Sequence, residues 1–171
     1  MQILSYILST LGLLSMISAS LIKGEKMKQI LFLVSCANIF VATSYLVGGQ
    51  GINGAAACYL GAVQTIINYF FDSKNKKIPY WLISIYAISI VSLNIWVAGG
   101  ITALGILVIV ASLCFVLCIN QKNGAKYRIW SFINISLWCI YDVLSGSFSA
   151  LITHSPQLIF LIAGMIIHDK K

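Results

Sequence analysis

A few polar side chains interrupt an otherwise apolar chain, and their types and spacing define the chemistry on offer. Asn38 and Tyr45 stand seven residues apart, as do Asn134 and Tyr141, so each pair shares one face of a helix. Amide and phenol groups on such a face hydrogen-bond a solute without carrying charge, or else bridge neighbouring helices. Gln64 lies deep in another apolar stretch, with Asn68 nearer that stretch's end, where it caps or bridges. Trp138 offers a flat ring for stacking, or simply packs. Asp142 and His154 are the acid and base set apart from the basic clusters. As a pair they can hold a proton or a cationic group; singly, Asp142 would be solvated near a helix end and His154 would bond a carbonyl. The candidate solute-binding set is therefore Asn38, Tyr45, Gln64, Asn134, Trp138, Tyr141, His154 and Gln157, with Asp142 and His154 for coupling.

The same residues give no support to catalysis. His154 and Ser155 are sequence neighbours, about 100° apart on a helix, so they make no dyad. There is no HExxH, carboxylate pair or Cys-His cluster. Cys36, Cys58, Cys114, Cys118 and Cys139 all fall in apolar stretches without a CxxC, as small buried hydrophobes do. The expectation is no enzyme, no metal and no cofactor.

The elements that must position these groups are membrane helices. The chain is 60% hydrophobic and 9% charged, where a soluble domain carries about 25% charge. Every Lys and Arg falls in one of four clusters: Lys23, Lys26, Lys28; Lys74, Lys76, Lys77; Lys122, Lys126, Arg128; Lys170, Lys171. Between them lie uncharged turns at "VGGQGING" (47–54), "AGG" (98–100) and "SGSF" (145–148). Basic and uncharged turns alternate, as the positive-inside rule requires, so the net charge of +7 marks a membrane surface and not a nucleic-acid site. The expected spans are about 2–22, 28–47, 53–71, 79–98, 101–119, 128–146 and 148–168. The first is read as a retained helix, because no basic n-region precedes it. An odd number of spans puts the N-terminus outside and the C-terminus in the cytoplasm.

An internal repeat runs through these spans. "NIFVATSYLVGG" from Asn38 resembles "NISLWCIYDVLSGS" from Asn134, Asp72 matches Asp169 at an offset of 97, and Lys23-Gly24 corresponds to Asn123-Gly124. The fold class is all-α: a polytopic membrane protein of seven transmembrane helices, arranged as two parallel three-helix repeats (1–71 and 101–171) joined by a linker helix (79–98). Parallel repeats of three helices need one extra crossing, and transporters built this way place the solute between the repeats. At the same register Pro156 falls opposite Tyr59, so "THSPQ" (153–157) becomes a bent or broken point inside helix 7, with Pro156 as hinge. Read locally, Ser155-Pro156 would instead begin a helix or sit in a loop.

Three stretches carry a resemblance to known families: "MKQ" with the helix after Met27, "GAAACYLGAVQTII" (54–67) and "LWCIYDVLSGS" (137–147). They are similar to the bacterial inner-membrane YgjV-like family, and the 3+1+3 plan resembles SWEET and PQ-loop transporters and the nicotinamide riboside transporter class. The resemblance implies a multi-pass protein of the bacterial cytoplasmic membrane. Helices 1 and 5 lack the Pro-Gln those transporters carry there; Pro156-Gln157 stands in helix 7, so no PQ-loop hinge role is carried over. The expected function is a facilitator or proton-coupled transporter of a small polar, neutral or weakly cationic metabolite. The expected partners are the lipid bilayer and that solute, with no nucleic acid, and a homodimer is compatible with it. The alternative is a non-transporting membrane subunit or immunity-type protein that binds another membrane protein.

Overall fold

The computed structural model describes residues 1–24, 26–49 and 51–169, so the Lys170-Lys171 cluster lies outside the described residues. Seven helices follow in order: α1 (Gln2–Leu21), α2 (Met27–Gly48), α3 (Ile52–Ser73), α4 (Tyr80–Ala98), α5 (Ala103–Ile119), α6 (Gly124–Ser145) and α7 (Phe148–His168). The described residues contain no strand, and the protein is an all-α membrane protein. At 1.5 Å per residue the helices are about 26 to 33 Å long, the thickness of a bilayer's hydrocarbon core. α1, α2, α4 and α7 are long and apolar enough to cross alone, and α5 is a shorter apolar helix of 17 residues. α3 and α6 are less apolar because they turn polar side chains inward, among them Gln64, Asn68, Asn134 and Asp142, all buried.

Local chemistry sets the helix ends. α2, α4 and α6 each stop at a left-handed glycine (Gly49, Gly99 and Gly146, φ 70°, 66° and 70°), which supplies the three uncharged turns. α6 begins at Gly124 and not near 128, because the Asn123 side chain accepts from Ala125 N at 2.8 Å and caps the helix through the basic cluster. α5 begins after Thr102, whose hydroxyl accepts from Gly105 N at 3.0 Å.

Six helices pack in a ring, α1 on α2, α2 on α3, α3 on α5, α5 on α6, α6 on α7 and α7 back on α1, while α4 lies outside against α3 and α5. Tyr86 ties α4 in place by donating its hydroxyl to Asn68 Oδ1 at 3.0 Å. Tyr80 and Trp81 at one end of α4 and Trp96 at the other are strongly exposed, at the two levels where aromatic side chains meet lipid head groups. α7 runs unbroken through Pro156, so "THSPQ" is neither a surface loop nor a helix start: Thr153, His154 and Gln157 are buried and Ser155 bonds back to Leu151 O. Neighbouring helices hold α7 on both sides of the proline, and Thr153 Oγ1 donates to Ser9 O at 2.7 Å across the α1–α7 contact.

The described basic loops gather at one end of the ring. Lys122 Nζ donates to Asp72 Oδ1 at 2.6 Å, and Arg128 Nε donates to Asp169 Oδ2 at 2.8 Å while its Nη1 reaches Ile22 O at 3.2 Å. Between them Gly24 and Gly124 meet backbone to backbone: a Cβ on Gly24 would stand 2.6 Å from Gly124 Cα. Gly124→Ala forces these two backbones apart and is expected to lower stability by about 1–3 kcal/mol. The measurement is thermal unfolding in detergent, with Ser15→Ala as a neutral control because the Ser15 hydroxyl bonds its own helix.

Candidate functional site

The site is built around Asp142, one turn before the end of α6 and fully buried. A helix C-terminus disfavours negative charge, so this carboxylate needs compensation from other elements. It receives two partners: the Tyr45 hydroxyl of α2 donates to Oδ1, and His154 Nδ1 of α7 lies 2.6 Å from Oδ2. The alternative of a solvated Asp142 near the outer end of α6 is overturned, because its side chain has no exposed surface and both carboxylate oxygens are engaged within the protein. Trp138 lies stacked on His154, with ring centroids 5.9 Å apart and planes at 28°, and meets Tyr141 edge-on at 5.4 Å. Tyr141 in turn accepts from Gly54 N at 3.1 Å.

Gly54 makes this packing possible. A Cβ there would lie 2.9 Å from Tyr141 and 3.0 Å from Tyr45, so only glycine lets both rings close over the site. Further towards the membrane centre is a small cavity of about 20 Å³. Its wall includes Asn38, Cys58, Gln64, Ser112, Asn134, Trp138 and His154, drawn from α2, α3, α5, α6 and α7. Asn134 Nδ2 donates to Ala111 O at 2.8 Å, whereas Asn38 Nδ2, Gln64 Oε1 and Ser112 Oγ are buried and make no hydrogen bond within the protein. Buried polar groups of this kind are completed by water or a ligand, and the volume is that of about one water.

A family model described as a bacterial inner membrane protein, Imp-YgjV, matches residues 2–171. The chain belongs to the Imp-YgjV family. No curated protein and no solved structure matches the chain.

In this Imp-YgjV protein the candidate residues divide into three positions. Asn38, Gln64, Asn134, Trp138 and His154 reach the cavity. Tyr45 and Tyr141 do not; their rings, 6.2 Å apart, lie beside Asp142 nearer the uncharged turns, because seven residues from each Asn is two helical turns. Gln157 is buried one turn beyond His154, off the cavity wall, with both amide atoms unpaired. Asn68 bridges α3 to the end of α5 through Ile119 O and Asn120 Oδ1. Ser112 is a site residue that motif spacing does not reveal; the available signal is that it is the one hydroxyl in the otherwise apolar α5. Arg128, which the charge pattern assigns to a topology cluster, is 1% exposed and pairs with Asp169 at the basic end. The available signal there is the recurrence of an acid at the close of α3 and of α7.

Among the described residues no group of His, Cys, Asp or Glu is arranged to hold a metal ion. The geometry instead offers neutral donors and acceptors, a stacked aromatic pair and one coupled acid–base pair. Asp142→Ala leaves His154 and the Tyr45 hydroxyl buried without their partner and is expected to cost roughly 3 kcal/mol, with Asp142→Asn costing clearly less. Equilibrium unfolding in mixed micelles checks this ranking; equal stability of both variants and wild type contradicts it.

Proposed function

We propose that this protein is a small-solute transporter, a facilitator or proton-coupled, that moves a small polar, neutral or weakly cationic metabolite between the groups α1–α3 and α5–α7. The observation that supports it most is the interior cavity, where Asn38, Gln64 and Ser112 from three different helices present unpaired polar atoms beside Trp138 and His154. Polar groups placed at membrane depth are costly unless they serve a pathway or a partner. The two helix groups contact each other through related features: α3 on α5 and α7 on α1, Gly24 on Gly124, and Tyr45 on Tyr141. That pattern suits two parallel repeats about an axis along the membrane normal, as in the SWEET-like plan. With the basic end in the cytoplasm, the N-terminus lies outside and the uncharged turns face outward.

The bundle is closed at both ends, by the tyrosine layer over Gly54 on one side and by the Gly24–Gly124 contact with Arg128–Asp169 on the other. A solute larger than water therefore enters only after one end opens. A protein that never opened would be the non-transporting alternative, and the cavity's small volume is the observation in its favour.

The test is a thermal-shift screen of the purified protein against sugars, nucleosides, vitamins and amino acids. A ligand at about 100 times its Kd adds about 2.7 kcal/mol to the apparent stability. Asn38 Nδ2 has no hydrogen-bond partner within the protein, so Asn38→Ala is expected to leave the unliganded stability within about 1 kcal/mol while abolishing the ligand's shift. A panel without any stabilising compound, together with a membrane protein that co-purifies in fixed ratio, decides for the non-transporting subunit.

A further inference from the structure

We propose that the coupling ion is the proton, bound by Asp142 and His154, and that its presence is what allows the uncharged end to stay shut. The proposal rests on the transport reading for what the proton is coupled to, but it predicts exposure of the interior and not solute movement.

Both oxygens of the Asp142 carboxylate are engaged, one by the Tyr45 hydroxyl and the other by His154 Nδ1 at 2.6 Å. With Asp142 ionised, Nδ1 carries a hydrogen and donates it, which leaves Nε2 as the atom that takes up a further proton. A proton on Nε2 makes an imidazolium facing a carboxylate, with no net charge. Its removal leaves one negative charge in a buried layer of a membrane protein. The other groups that interact with this carboxylate are Tyr45 from α2, Cys58 from α3, and Cys139 and Tyr141 from α6; none of them carries a positive charge. Arg128, the other buried cation among the described residues, is at the opposite end and is matched by Asp169. Among the described residues only His154 compensates Asp142, and only while protonated.

The unloaded site therefore requires water, because a lone buried carboxylate is far more costly than a paired one. A way for water is offered at the uncharged end, where a recess of about 120 Å³ is lined by Ser5, Gly48 and Ser147 among others. Ser147 and the Tyr45 ring both crowd Gly51, so this recess lies close to the tyrosine layer beside Asp142. Loss of the proton draws that layer open, and reloading lets it close dry. A metal cation fits poorly in the same place. Hard cations take about six or more oxygen ligands, and here both carboxylate oxygens are already engaged, one by the Tyr45 hydroxyl and one by the His154 ring nitrogen.

Cys58 is a native reporter, buried on the cavity wall beside Trp138 and His154. The experiment uses the full chain in lipid nanodiscs with Cys36, Cys114, Cys118 and Cys139 replaced by Ala. A charged methanethiosulfonate reagent is applied, and the protein that retains Asp142 is compared with its Asp142→Asn variant at the same pH; a nearby carboxylate only disfavours the reactive thiolate, so a faster rate in the protein that retains Asp142 reports exposure. In alkaline buffer Cys58 is expected to react about tenfold faster in the protein that retains Asp142 than in the Asp142→Asn variant, and at the same slow rate in both in acidic buffer. A second reporter that keeps only Cys118, buried beside Tyr127 near the basic end, stays protected throughout. Equal Cys58 rates at both pH values, or a faster rate in the Asp142→Asn protein, overturn the proposal, as does parallel exposure of Cys118. Should Asp142→Asn fail to fold, His154→Gln removes the ring that binds the proton and is expected to expose Cys58 in acidic buffer as well; unchanged protection overturns the proposal. Proton-dependent exposure without any stabilising solute would count against the transport reading alone.

Discussion

The Asp142 carboxylate is the constraint to which the interior answers. A charge with no access to bulk water needs donors fixed in place, and the membrane allows few ways to supply them. Tyr45 comes from α2 and His154 from α7, so the carboxylate on α6 ties three helices together at one level. Those two partners impose further requirements. Trp138 lies against the imidazole, Tyr141 lies against Trp138, and Gly54 on α3 stays without a side chain so that both tyrosines fit.

The opposite end uses different physics for the same purpose. There Arg128 meets Asp169 and the Ile22 carbonyl, and the chain closes by direct backbone contact at Gly24 and Gly124. The two closures use different side chains: an arginine–aspartate pair at this end, and a tyrosine, a histidine and an aspartate at the other. Between them sits the polar cavity, whose unpaired amide and hydroxyl groups no stability argument explains, since an apolar lining would pack equally well.

Much of the architecture is legible in the sequence because charge and glycine mark turns directly. The helices before the uncharged turns end at Gly49, Gly99 and Gly146, each left-handed, and the described basic loops lie together at one end as their alternation implies. The start of α6 is not legible in the same way: charge alone sets the Lys122–Arg128 cluster outside the span, while the Asn123 cap carries the helix through it. The pairing of Asp142 with His154 follows from their being the isolated acid and base only as one of two readings, and the burial of Asp142 decides for it. The separation of the tyrosines from the asparagines does not, since seven residues place two groups on one face but at different depths. Ser112 gives only a weak sign in the sequence, because one hydroxyl in an apolar helix usually bonds its own backbone; the three-dimensional packing shows it buried on the cavity wall without a partner.

The claim that this interior is a solute pathway is tested most directly by uptake into liposomes that contain the purified protein, with a panel of labelled small polar metabolites. The account predicts time-dependent uptake above empty vesicles for at least one class of solute, and its loss when Asn38 is replaced by alanine in a protein that remains folded. Uptake no greater than that of empty vesicles for every class, or undiminished uptake by the Asn38→Ala protein, contradicts it.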